Sequence, residues 1–195
     1  MIPRDTALVG SLVLVGMALL IWALRRRPSM AWLVLIAATF VYAALVVVAT
    51  LFPLPIQNAL IQYERTAPRE SPWVDLVPIV GMANVLGTTL ETALRQLAGN
   101  VLLFVPLGFM APLLLGARAS AARVLALALA VSTTIEGLQL AVSGVLGYPY
   151  RLASVDDIIL NALGAGVGYL VFLAVRPLLQ PILDTSVSCG SQPPE

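Results

Sequence analysis

Five long apolar stretches restrict what this chain can fold into more than any other feature does. They cover roughly residues 6–24, 30–52, 98–115, 123–143 and 157–175, and a helix needs about 17–25 residues to cross a bilayer. In hydrocarbon each backbone donor and acceptor must find its partner inside the segment, so lone runs of this length are helices. Composition agrees: 11% of the residues are charged, against about 25% in soluble domains. The fold class expected is all-α, a polytopic integral membrane helix bundle of about five transmembrane helices in one domain spanning 1–195.

The connections refine this picture. The third stretch is the shortest and carries Pro106 and Pro112, each of which removes a backbone donor and crowds the preceding turn, so a kink is expected there. The loop over 53–97 holds Met82, Val85, Leu86, Leu90, Ala93, Leu94 and Leu97 at helical spacing. Glu91 and Arg95 lie four apart on the opposite face, which predicts an amphipathic helix at the membrane surface or over the bundle. The tail over 177–195, rich in Pro, Ser and Gln, is expected to be disordered. Arginine sets the orientation. With Arg25, Arg26 and Arg27 in the cytoplasm, Arg118, Arg123 and Arg176 fall on the same side, the N-terminus lies outside and the C-terminus inside. The 53–97 loop is then external. Trp22, Trp32, Trp73, Tyr148 and Tyr150 read as interfacial belt residues.

Composition also excludes chemistry. A net charge of +1 gives no electrostatic footprint for nucleic acid. There is no histidine and one cysteine, Cys189, which removes ordinary zinc, haem and Cys-His sites. What remains is a layer of polar groups at membrane depth. Charged groups in hydrocarbon cost at least about 2.5–3.5 kcal/mol, so they face a bundle interior or a wet cavity. Ser132, Glu136, Gln139 and Ser143 form one stripe on the fourth span. Asp157, Asn161, Gly164 and Gly168 repeat that spacing on the fifth, where the glycines let another backbone approach. The two stripes are expected to face each other. Asn100 opens the third span, and Arg151, Asp156 and Asp157 stand at the mouth of the fifth. One of the two aspartates is expected to face the bundle and the other to cap the helix.

Three motifs in order then carry a resemblance. Asn100-Val-Leu-Leu-Phe104-Val-Pro106-Leu-Gly108-Phe109 is followed by Glu136-Gly-Leu-Gln139, and then by Arg151 with Asp156, Asp157, Asn161, Gly164 and Gly168. Over residues 70–175 this pattern resembles the VanZ-like family. Asp75-Leu-Val-Pro78 stands where the family has a Leu-Ile-Pro-Phe stretch, with Ile79 replacing the aromatic. The resemblance implies a multi-pass protein of the bacterial cell membrane, and the family's namesake is associated with teicoplanin resistance. The leading expectation is an outer-leaflet polar pocket for a lipid-like or lipid-linked wall-precursor ligand. There Arg151 pairs with a phosphate or carboxylate, Asn100, Gln139 and Asn161 hydrogen-bond, and the kinked third helix admits the chain. A second reading is an intramembrane enzyme with Glu136 as general acid/base and Mg²⁺ on Asp156 or Asp157. It lacks a recognised nucleophile pair, and no cofactor is expected otherwise. The third is structural, with the polar layer locking helices together.

Overall fold

A computed structural model describes residues 30–52, 73–78, 87, 89, 91 and 97–188, with side chains as far as 179. The first apolar stretch, the arginine triplet and nearly all of the expected surface helix lie outside these residues. Four helices are present among them: α1 (Met30–Leu51), α2 (Gly99–Leu115), α3 (Ala121–Leu146) and α4 (Val155–Ser188). All four are long and apolar enough to cross a membrane, and the fold is an all-α membrane bundle.

The chain forms two compact units. One comprises Met1–Ala49 and Ala174–Glu195, the other Thr50–Leu173. In the first, α1 carries no charged residue, and Thr39 returns its hydroxyl proton to the Leu35 carbonyl at 2.7 Å, the usual way to hide a hydroxyl in an apolar helix. The backbone of α4 stays helical to Ser188. This differs from the disordered tail expected after residue 176: Pro177 and Pro181 each remove one donor but do not end the helix.

The second unit holds the polar residues, and local signals in the sequence punctuate it. α2 remains one helix through Pro106 and Pro112 and ends at Gly116, whose φ of 54° suits glycine. A 3₁₀ turn, Gly116–Arg118, follows. Ser120 then takes an extended conformation and accepts from Arg123 N at 3.3 Å, so α3 starts at Ala121. It ends at Gly147, which is left-handed with φ 78° and donates to Ser143 O. Ser154 caps α4 in turn, its Oγ accepting from Asp156 N at 3.2 Å. One of the two aspartates is the cap the sequence suggests; Ser154 takes this amide because it sits one residue before the first helical position.

Ser154 also belongs to a two-residue strand that the sequence did not suggest. β1 (Val74–Asp75) and β2 (Ala153–Ser154) pair in parallel, Val74 opposite Ala153 and Asp75 opposite Ser154. Asp75 Oδ1 accepts from Val77 N at 3.1 Å, which turns the chain directly after β1. The Asp75-Leu-Val-Pro78 motif is thus clipped to the entrance of α4.

α2 and α4 touch backbone to backbone. A Cβ built on Gly164 falls 2.0 Å from Val101 O, one on Gly168 falls 2.0 Å from Val105 O, and one on Gly108 falls 1.9 Å from Ala165 O. Asn100 meets Asp157, Val101 meets Gly164 and Val105 meets Gly168, so the two helices run in the same direction. α3 returns between them in sequence, and Phe104, Ala128 and Ala165 form a core drawn from all three helices. The glycines therefore serve α2, not α3. The expected meeting of the α3 and α4 stripes holds at Asn161 and fails at Gly164 and Gly168.

Candidate functional site

The site begins with the spacing on α3. Ser132, Glu136, Gln139 and Ser143 recur every three or four residues, and all four are buried. A buried polar group without a partner costs about 1–3 kcal/mol, so each should have one, and the partners come from four parts of the chain. Ser132 Oγ accepts from Asn161 Nδ2 of α4 at 2.8 Å. Glu136 Oε2 accepts from the Ser154 backbone N–H at 3.0 Å. Gln139 Nε2 donates to Thr50 O at 2.9 Å. Ser143 donates its one hydroxyl proton to Gln139 O at 2.9 Å and accepts from Tyr150 N at 3.2 Å, holding the loop after α3 against the helix.

The end of α1 draws on the same cluster. The last four carbonyls of a helix lack intrahelical partners. Here Gln139 reaches Thr50 O, Tyr150 Oη donates to Leu51 O at 2.8 Å, and Arg151 Nη2 donates to Phe52 O at 3.2 Å. Three successive carbonyls are capped by three side chains from one short stretch, with the cation at the negative end of the helix. Tyr150 is thus a cap, and Tyr148 is buried, so neither is the belt residue expected. Tyrosine is common at interfaces, and nothing in its spacing separates the two roles.

Asn100 Nδ2 donates to Asp157 Oδ1 at 2.5 Å, joining α2 to the first turn of α4. Asp157 is the aspartate that faces the bundle. Asp156, at the second helical position, is also buried. Phe104 is fully buried in the core and Gly108 lies against Ala165, so these motif residues shape the fold instead of lining a pocket. Pro106 is carried within α2.

The charges in this cluster are unevenly matched. Glu136 and Asp157 are engaged by neutral donors, an amide N–H and an asparagine. Arg151 is partly buried, lies over the Tyr150 ring at 5.8 Å, and has Phe52 O as its hydrogen-bond acceptor. Among the described residues it makes no ion pair. Asn161, 4% exposed, has its Oδ1 without a hydrogen-bond partner among the described residues. No three acidic, cysteine or histidine side chains converge on a metal site among them.

Sequence spacing located Asn100, Glu136, Gln139, Arg151, Asp157 and Asn161 in one polar region, and the structure joins them through these contacts. It missed Ser154 and Tyr150, whose importance depends on a backbone amide and on the end of a distant helix. No curated protein and no solved structure matches the chain. The VanZ/LLP1 family model matches residues 39–176, from the middle of α1 through the polar cluster and into α4, and the chain belongs to this family of membrane proteins.

Proposed function

We propose that this VanZ-family membrane protein binds the anionic head group of an amphipathic envelope molecule, a lipid or a lipid-linked wall precursor, at Arg151. The supporting observation is the unfilled hydrogen-bonding capacity of the Arg151 guanidinium among the described residues. A guanidinium has five N–H donors, and among the described residues Arg151 has only the Phe52 carbonyl and the Tyr150 ring to meet them. The neighbouring carboxylates Glu136 and Asp157 are hydrogen-bonded to neutral groups. Arg151 acts on both carboxylates through space without hydrogen-bonding either, so a phosphate or carboxylate can take its remaining N–H donors through the charge-assisted bonds at which arginine excels. Asn161 Oδ1 has no hydrogen-bond partner among the described residues and can accept from a hydroxyl or amide of the ligand. Asn100 and Gln139 support this reading as positioning groups, one holding α4 and the other the end of α1. The arginine pattern puts the pocket in the outer leaflet, with the N-terminus outside. An acylated glycopeptide such as teicoplanin has the same amphipathic chemistry, and resistance to it is the biological extension of this reading.

The test is native mass spectrometry of the purified full chain titrated with a polyprenyl phosphate. Arg151→Gln should weaken the adduct at least tenfold, while Glu136→Gln, which keeps an acceptor for Ser154 N–H, should leave it within about threefold. Equal binding by wild type and Arg151→Gln would overturn the proposal. A ligand-derived adduct that accumulates only in Glu136→Gln would point to catalysis by that carboxyl.

A further inference from the structure

The seam between α3 and α4 changes character at the Ser132–Asn161 hydrogen bond. Toward the C-terminus of α3 the buried polar groups Glu136, Gln139 and Ser143 follow. Toward the N-terminus the seam opens into an apolar groove of about 640 Å³, within the range of ligand sites. Ala121, Leu125 and Leu129 form one wall, and Ile159, Gly166 and Leu170 lie on the other. At about 1.5 Å per residue these walls are about 12 Å and about 16 Å long, the depth of one leaflet of a core about 30 Å thick. The groove ends at Ala121, immediately after the turn that carries Arg118, with Arg123 two residues further on. Both arginines are exposed, and Arg123 Nη1 donates to the Arg118 carbonyl, which keeps the two cations at one level. Among the described residues neither makes an ion pair.

We infer that this groove is a binding site for one anionic phospholipid, its acyl chain lying between α3 and α4 and its phosphate at Arg118 and Arg123. The occupant follows from two observations: an apolar wall about one leaflet deep, and two cations beside one end of it that make no ion pair among the described residues. In a bilayer an apolar chain gains little by leaving its neighbours, so selectivity rests with the head group. Two arginines near the surface give about a 25-fold preference for an anionic over a zwitterionic lipid, equivalent to about 2 kcal/mol. Under the arginine rule this is the cytoplasmic leaflet, opposite Arg151, so the two sites are separable.

The full chain in micelles would be given equal amounts of phosphatidylglycerol and phosphatidylcholine and analysed by native mass spectrometry. Wild type should hold one phosphatidylglycerol in preference by about 25-fold. Gly166→Leu fills the groove, and since no atom lies within 4 Å of a Cβ there, the variant should fold and lose the adduct at least tenfold. Leu125→Trp, at an exposed wall position, should do the same. Arg118→Gln with Arg123→Gln should retain a lipid but bring the preference within about threefold, and Arg151→Gln should change nothing at this site. Equal retention of the two lipids by wild type, or an undiminished adduct in both groove variants, would overturn the inference. So would an oligomer that Gly166→Leu dissociates with lipid retention unaffected, because the groove would then be a surface between copies of the chain.

Discussion

Replacing Gly164 by alanine adds one carbon at a point where the structure has no room for it. The new Cβ would lie 2.0 Å from Val101 O and 2.9 Å from Val101 C, both backbone atoms that no rotamer change can move. Ordinary contact begins near 3.4 Å, so α4 must withdraw from α2 by about 1.4 Å. A gap of only about 0.5–1 Å already forfeits a quarter to a half of each dispersion contact, and overpacking itself costs about 1–3 kcal/mol. The same displacement pulls Asp157 from Asn100, and a hydrogen bond to a charged group contributes about 1.5–3 kcal/mol. Together the loss is about 3–5 kcal/mol. Gly166→Ala supplies the control on the same helix, two residues away. Its Cβ meets nothing within 4 Å, and alanine is the better helix former by about 1 kcal/mol, so that variant should be unchanged or slightly more stable. Reversible unfolding in mixed micelles with increasing SDS, followed by circular dichroism, measures both. Equal midpoints for Gly164→Ala and Gly166→Ala, or a loss under about 1 kcal/mol for Gly164→Ala, would refute the backbone contact between α2 and α4.

Other substitutions test neighbouring parts of the cluster. Asn100→Leu should destabilise by about 2–3 kcal/mol by stranding Asp157, whereas Asn100→Leu with Asp157→Leu should recover most of that loss; additive effects in this double-mutant cycle would mean the two residues are not coupled. Gly147→Ala should cost about 1–2 kcal/mol because its φ of 78° is unfavourable for any residue with a Cβ, and an unaltered unfolding midpoint would argue against a left-handed end to α3. Ser154→Ala should cost about 1 kcal/mol through loss of the α4 cap, and it should leave the Glu136 contact intact because that contact uses the backbone N–H.

Much of this molecule was legible from the chain alone, for identifiable reasons. Apolar length decides that a segment spans a membrane, so the four described helices fall close to the stretches that hydropathy outlines. Helical periodicity decides which residues share a face, which is why Ser132, Glu136, Gln139 and Ser143 could be assigned to one buried stripe. Serine before an apolar run and glycine after it set the ends of α3, local signals of one or two residues that the hydropathy outline of 123–143 passes over. Tertiary structure decided which helix each face meets. Nothing in Gly164 and Gly168 names the backbone that approaches them, and it proves to be α2. Nothing in Gln139, Tyr150 and Arg151 shows that they close the carbonyl end of α1, because those carbonyls belong to residues about 90–100 positions earlier in the chain. The pairing of Glu136 with Ser154 N–H, and the opening of the α3–α4 seam below Ser132, likewise depend on how helices cross. Local stereochemistry and transfer free energy act over one turn or one span and are written in sequence; contacts between distant segments exist only once the chain has closed on itself.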